Sequence, residues 1–308
     1  MNNDKVFVSL FPLNSEFEFS IIAMLTLGFS PCPNDTFIFH ALVHGMTGYD
    51  CPSFSSPELE DVETLNAWAL EGRLDVTKIS FHALGHVLDK YVLLRSGSAL
   101  GRGCGPLVVS RKPVAKKDLS EMTIAIPGAY TTAAMLLRLY CPECQNVVVK
   151  RFEEIMPSIA NGDVDAGVII HESRFTYQDH GLVCVEDLGA WWEKETGHPI
   201  PLGGIAARRN LGTETIQKID QCIRSSVRHA FDHPEKSVEY IRSYAQELDE
   251  VVIRSHINLY ANSFSEDLGI EGVAAITEFL KRGYSSGLFS AETSAMIPNF
   301  FISDGNDY

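Results

Sequence analysis

Two stretches of the chain carry the same alternation of apolar and polar positions. Residues 62–76 read VETLNAWALEGRLDV and residues 152–166 read FEEIMPSIANGDVDA, aligned without a gap at an offset of 90 residues. Val62 matches Phe152, Leu65 matches Ile155, Ala69 matches Ile159, Gly72 matches Gly162 and Asp75 matches Asp165. Apolar residues at i, i+3 and i+7 predict a short amphipathic helix in each stretch. A glycine stands where such a helix ends. An acidic turn follows, and then the apolar runs Val76–Phe81 and Ala166–Ile170, which predict strands. A second correspondence precedes the first. Leu25–Phe29 predicts a strand, followed by the turn Ser30–Asp35 and a helix over Thr36–His44. Thr123–Ile126 predicts a strand, followed by the turn Pro127–Thr132 and a helix over Ala133–Tyr140. The chain therefore reads as an α/β protein in which one βα-rich half is built twice.

Leu107–Ser110 predicts a further strand, and Arg111-Lys112-Pro113 a crossover into the second half. The return crossing is expected in Pro199-Ile-Pro-Leu-Gly-Gly204. From Glu214 onward the pattern is helical, with Ile216, Ile219, Ile223 and Val227 on one face, Val238, Ile241 and Tyr244 on a second, and Ala274–Leu280 in a third helix. The expected organisation is a tail over residues 1–24, a larger discontinuous lobe over 25–108 and 203–308, and a smaller lobe over 109–202. Two lobes joined by two strand-like crossings predict a central cleft and a hinge.

Composition narrows the partners. Of 308 residues, 45% are hydrophobic and 21% charged, which is ordinary for a globular protein. The formal charge of −15 disfavours DNA, RNA and anionic lipid, although a local basic pocket still suits a small anion. No stretch approaches the roughly 20 apolar residues of a membrane helix. The apolar run Phe19–Phe29 is preceded by Asp4, Glu16 and Glu18 against a lone Lys5, the opposite of a secretory leader, and Met24 is a candidate natural start. Seven cysteines, an odd number, argue against a secreted disulfide framework and for the cytoplasm. Cys141-Pro-Glu-Cys144 has metal or redox spacing, but no second pair accompanies it and it follows a helix instead of opening one, so reduced thiols in a helix-ending loop are expected.

Ligands of open α/β sheets sit outside the carboxyl ends of the strands. That rule selects Ser30–Asp35, Thr77–Ser80, Gly128–Thr132 and Ile170–Arg174. Thr131 and Thr132 open a helix, where free N–H groups and hydroxyls suit a carboxylate or phosphate, or simply cap the helix. Lys78, followed by Ser80, is awkward on a buried strand unless it reaches a cleft or snorkels from an edge. His171 stands at a strand end where the repeat has Phe81, and a neutral imidazole there suits a general base, or a core-edge histidine bonded to backbone. The pairs His40/His44 and His82/His86 have i, i+4 spacing but neither the intervening Glu nor a third ligand, so no metal is expected. Gly101–Pro106 lacks the Lys-Ser/Thr of a phosphate loop and is expected near the hinge, with Arg102 available to an anion. Ser173 lacks the context of a hydrolase nucleophile. Trp191 and Trp192 are read as a cleft wall or a packed lobe interface.

Leu27-Gly-Phe-Ser-Pro-Cys-Pro-Asn-Asp-Thr-Phe-Ile-Phe39 and Ile169-Ile-His-Glu-Ser-Arg-Phe-Thr-Tyr177 resemble the 1,4-dihydroxy-6-naphthoate synthases of the futalosine route of menaquinone biosynthesis. Asp61–Asn66, Arg95–Arg102 and Asp187–Trp192 are similar to the same family. The resemblance runs from about Leu25 to near the C-terminus, and residues 1–24 have no counterpart in it. It implies a two-lobed, periplasmic-binding-protein-like (type II) α/β fold with a central cleft. It further implies a carbon–carbon lyase that splits cyclic dehypoxanthinylfutalosine into 1,4-dihydroxy-6-naphthoate and dihydroxyacetone, with no metal or organic cofactor. His171 takes the family's catalytic position, and Lys78-Ile79-Ser80 and Thr131-Thr132-Ala133 its substrate contacts. The small-molecule substrate is the partner implied; nucleic acid and membrane are not, and the oligomeric state is left open. Two other readings accompany this one: a cytoplasmic solute-binding module, which needs no such histidine, and a chorismate dehydratase of the same fold, which the Ser-Pro-Cys-Pro-Asn-Asp and His-Glu-Ser-Arg-Phe blocks fit less well.

Overall fold

The computed structural model describes residues 24–245 and 249–302; the tail read over 1–24 lies, Met24 apart, outside the described residues. Eleven strands run along these residues: β1 (Leu27–Phe29), β2 (Glu58–Leu59), β3 (Val76–Ser80), β4 (Tyr91–Leu93), β5 (Ala99–Gly101), β6 (Leu107–Ser110), β7 (Ile124–Ile126), β8 (Val147–Val149), β9 (Ala166–Ile169), β10 (Val183–Asp187) and β11 (Ile200–Arg208). They form two sheets, one in the order β2-β1-β3-β11-β4 with β5 also on β11, the other in the order β8-β7-β9-β6-β10. In the first, β2, β1 and β3 are parallel and β11 is antiparallel. In the second, β8, β7 and β9 are parallel and β6 is antiparallel. The repeat read from the sequence is therefore a repeat of topology, with β1, β2 and β3 answering to β7, β8 and β9.

The physical devices repeat as well. Helices Val62–Glu71 and Phe152–Asn161 both end in a left-handed glycine, Gly72 (φ 73°) and Gly162 (φ 85°), a conformation that penalises any residue with a Cβ. The aspartate three residues on ties the turn to the neighbouring strand. Asp75 Oδ2 accepts from Thr26 N and Oγ1, each at 2.9 Å, and Asp165 Oδ2 accepts from Thr123 N at 2.9 Å.

Three of the boundary differences from the sequence reading matter for the site. The first helix begins at Pro33, not Thr36, because proline at the first helical position loses no hydrogen bond and has the right φ already. Strand β3 stops at Ser80, and Phe81–Leu84 is a helical turn. Leu107–Ser110 already belongs to the second sheet, so the passages between the sheets fall at 102–106 and 188–199, upstream of Arg111–Pro113 and largely before Pro199–Gly204. Helix Thr213–Asp232 buries Ile216, Ile219, Ile223 and Val227 in the same core as Leu27, Phe29 and Phe39, as its periodicity requires.

The reading of Cys141 and Cys144 as reduced thiols is overturned, since the two form a disulfide, as do Cys51 and Cys222. Helix Thr132–Tyr140 ends at Cys141, and the turn that follows, closed by Cys144 N donating to Cys141 O at 3.1 Å, brings the Cα atoms within 5.5 Å. Cys51 and Cys222 are 171 residues apart in sequence and meet only through tertiary packing. Cys32, Cys104 and Cys184 are free.

Candidate active site

The site begins with a buried ion pair. Asp35, in the first turn of helix Pro33–Val43, is 1% exposed and receives Lys78 Nζ at 2.6 Å. Its oxygens also accept from Asn34 Nδ2 at 2.9 Å and from Ser30 Oγ at 2.7 Å. Lys78 lies on β3, an interior strand between β1 and β11, so its side chain runs inward to this carboxylate and does not snorkel from an edge. Leaving either partner alone in this interior costs about 3–5 kcal/mol, so the two are obligate companions.

Ser80 ends the same strand. Its N–H donates to Asn66 Oδ1 at 2.9 Å, which fixes the amide so that Asn66 Nδ2 donates to Ser80 Oγ at 3.0 Å. With its oxygen accepting from Asn66, the Ser80 hydroxyl keeps its own proton to donate.

The facing half supplies helix Thr132–Tyr140. Thr131 is its N-cap, with Oγ1 accepting from Ala134 N at 3.2 Å. Helix geometry leaves the Thr132 and Ala133 amides without intrahelical acceptors, and no acidic residue occupies the first turn. The turn before the helix is pinned by the first lobe. Glu63 Oε1 accepts from Tyr130 N at 3.0 Å, His82 Nδ1 lies 3.2 Å from Thr131 O, and Thr132 Oγ1 accepts from Phe81 N at 3.1 Å and donates to Leu202 O at 2.5 Å. Burial holds Glu63 above the usual carboxylate range. Burial, and then the neighbouring His86, brings His82 down to about 4, so it is a neutral imidazole whose Nδ1–H donates to the Thr131 carbonyl.

His171 follows Ile170 at the end of β9. It is the only non-glycine residue among the described ones with positive φ, at 57°. A left-handed histidine costs on the order of 1–3 kcal/mol and persists only where its surroundings hold it. Its Nδ1 lies 3.5 Å from the Sγ of Cys32, and the ring meets Phe152 edge-on at 5.3 Å and His256 nearly parallel at 6.0 Å. Desolvation lowers its pKa, opposed by the carboxylates of Glu172 and Asp35 and assisted by Lys78. Burial raises the Cys32 thiol far above its usual range, so the sulfur beside the imidazole is a neutral S–H.

These groups meet in one cavity of about 90 Å³. Lys78, Ser80, Thr131, Thr132, Ala133 and His171 all line it, with Ser30, Asn34 and Asp35 from the first turn. Ile79 does not. Side chains alternate along a strand, and Ile79 points to the opposite face, wholly buried in the core. Trp192 is also fully buried, donating Nε1–H to Pro199 O, and Trp191 packs edge-on against Tyr140, so neither forms a cavity wall. Arg102 pairs with Glu271 at the surface, while Cys104 and Pro106 of the same glycine-rich segment reach the lining. Sequence reasoning missed Tyr260 on the lining and His256 behind it. Both lie on helix Glu250–Tyr260, whose only sequence signal is an i, i+4 pair of polar aromatics in a segment read as structural.

Two similar α/β lobes, each with three parallel strands and an antiparallel fourth, enclosing a cavity at their strand ends, define the periplasmic-binding-protein-like class. The fold of the Escherichia coli periplasmic aliphatic sulphonate-binding protein matches with a TM-score of 0.58 at 12% identity, covering 86% of this chain and 88% of that one. A crystal structure of a protein from Archaeoglobus fulgidus matches at 0.81 with 33% identity, covering 86% and 98%. Within that class, a family profile described as menaquinone biosynthesis matches residues 25–285, and the chain belongs to that family. Proteins named 1,4-dihydroxy-6-naphthoate synthase are 54% identical over 264 residues in Thermus thermophilus (86% of this chain, 95% of that one) and 46% identical over 276 residues in Streptomyces coelicolor (87% and 95%).

Proposed function

We propose that this protein is a carbon–carbon lyase that converts cyclic dehypoxanthinylfutalosine to 1,4-dihydroxy-6-naphthoate and dihydroxyacetone, with His171 as general base. The observation that carries the reading is the left-handed, desolvated His171 lining the same cavity as a helix N-terminus with no acidic residue in its first turn. A solute-binding site has no use for a proton acceptor that costs backbone strain; a reaction that starts by removing a proton does.

The residues divide the work. The substrate carboxylate sits at the Thr132 and Ala133 amides, where the helix dipole favours an anion. Lys78 does not serve as its counter-ion, because Asp35 already neutralises that charge. His171 Nδ1 is held against Cys32 Sγ, and in the tautomer that carries its hydrogen on Nδ1 the Nε2 lone pair is the base. His171 takes a proton from the substrate, the bond to the three-carbon remnant breaks, and its electrons enter the ring that becomes aromatic. The products together contain the atoms of the substrate, so the proton taken by His171 is returned within the turnover. Ser80, whose hydroxyl is already oriented by Asn66, donates to the oxygen on which charge develops. The lobes part to admit the substrate and close over it to exclude water.

The test is an anaerobic assay of the purified protein with cyclic dehypoxanthinylfutalosine, with dihydroxynaphthoate followed by chromatography and mass. Product from wild type and none from His171→Asn supports the reading. Tight substrate binding without product moves the protein to the solute-binding reading. Loss of water from chorismate in the same preparation moves it to the dehydratase reading.

A further inference from the structure

Behind the His171 ring lies a second histidine that the reaction as written does not use. His256 is 0% exposed, and its ring lies 4.6 Å from that of Tyr260. Its hydrogen positions follow from its partners. The Asp35 carboxylate, bonded to Lys78, only accepts, so the Asn34 amide nitrogen is the atom that faces it. Asn34 Oδ1 is thereby turned to His256 Nε2 at 2.8 Å, and an oxygen acceptor at that distance requires Nε2 to carry a hydrogen. Neutral His256 then has its lone pair on Nδ1. That nitrogen faces Glu172 Oε2 at 3.7 Å, and both atoms are buried without a hydrogen-bond partner. Two bare acceptors facing each other out of water form an arrangement that a single proton resolves.

We propose that Glu172 and His256 share one exchangeable proton and through it set the basicity of His171, as positioning residues for that base. The inference rests on the reading of His171 as the base. Without the proton, the pair carries a negative charge beside His171 and favours the imidazolium. With it, the pair is neutral and His171 gives up its proton more readily. The other groups that bear on these rings are Lys78, Asp35, the Cys32 thiol, the Tyr260 hydroxyl and Asp61, which acts on His171 more weakly than the other charges. Lys78 and Asp35 are bonded to each other and largely offset, and the thiol and phenol are kept neutral by burial, so Glu172 carries the difference. Burial, with His171 and Lys78 nearby, keeps His256 well below the ordinary imidazole value, so the pair sheds the shared proton and regains its negative charge as His171 charges.

Glu172→Gln tests this, because it removes the charge and preserves the shape. The expected result is kcat lowered about tenfold with KM within about twofold, and the acidic limb of the kcat/KM profile moved down by about one pH unit. Glu172→Asp, which keeps the carboxylate, restores the limb. Nitrogen NMR of imidazole-labelled protein reads the proton directly: the His256 Nδ1 resonance of wild type lies between the protonated and lone-pair extremes and moves with pH, and in Glu172→Gln it does not. A Glu172→Gln profile that superimposes on wild type, or a wild-type Nδ1 that reads as a bare lone pair from about pH 5 to 9, overturns the proposal. His171→Asn is run alongside. Full turnover there removes the base reading, whereas the His256 resonance in the same variant still decides whether the proton is shared.

Discussion

The two lobes begin from one plan and diverge at the same two points. At the first helix, lobe one places its own Asp35 in the opening turn and closes it with Lys78, whereas lobe two places Thr131 and Thr132 there and no acid. At the third strand, lobe one ends in Lys78 and Ser80 and runs on through Phe81 into a helical turn. Lobe two ends in Val168 and Ile170 and turns through the left-handed His171. The first lobe fills its helix start with its own carboxylate; the second leaves the first turn free of acids and puts a left-handed histidine on the same cavity. A duplicated scaffold becomes asymmetric by spending a charge pair on one side and a strained residue on the other.

The largest effect expected from breaking this asymmetry is at His171. His171→Asn keeps a residue tolerant of positive φ and removes the proposed base, so turnover is expected to fall by about 10²–10⁴ while substrate binding stays within a few-fold. Single-turnover product formation together with equilibrium binding checks both halves. On the opposite side, Lys78→Met strands a buried carboxylate and is expected to lower stability by about 3–5 kcal/mol, read as a drop in the urea midpoint. Lys78→Met combined with Asp35→Leu recovers much of that loss, because the pair is costly mainly when it is broken.

Much of this was legible. The offset of 90 residues and the Gly-x-x-Asp turns located both repeats because glycine caps and strand periodicity are local physics, visible in windows of 15 residues. The same locality put Lys78, Ser80, Thr131, Thr132, Ala133 and His171 at strand and helix ends, and the ends converge because the topology is shared. What failed was non-local or depended on side-chain direction. Ile79 belongs to the right strand end but the wrong face. His256 and Tyr260 enter from a helix that starts 81 residues beyond the end of β9, and no spacing connects them to His171. Cys51 and Cys222 meet across 171 residues.

The seam between the lobes sets a third expectation, in pH. His82 on the first lobe holds the Thr131 carbonyl of the second, and burial lowers its pKa from 6.5 to about 4. The unfolded chain therefore binds more protons than the folded one between those values, so stability is full above about pH 6.5 and is lost as pH falls toward 4, by about 3 kcal/mol for this residue alone. The lowered values of His171 and His256 act in the same direction. Urea unfolding at pH 7.5 and pH 5 measures the loss, and His82→Gln is expected to flatten the slope. An unchanged slope in that variant removes His82 as its source.

The smallest effect is the most direct comparison of the two lobes, because Asp75 and Asp165 hold one position of the repeat. Asp75 is half-buried and takes two hydrogen bonds from Thr26, whose Oγ1 accepts in turn from Asp75 N at 2.8 Å. Asp165 is exposed and takes one bond, from Thr123 N. Hydrogen bonds to charged groups contribute about 1.5–3 kcal/mol when shielded and much less at the surface. Asp75→Ala is therefore expected to cost about 2 kcal/mol and Asp165→Ala under about 1 kcal/mol. Equal losses would mean that the turn, not its burial, sets the strength of the tie. Larger losses at Asp165 would mean that the second lobe, although it carries the strained His171, depends more heavily on its turn than the first.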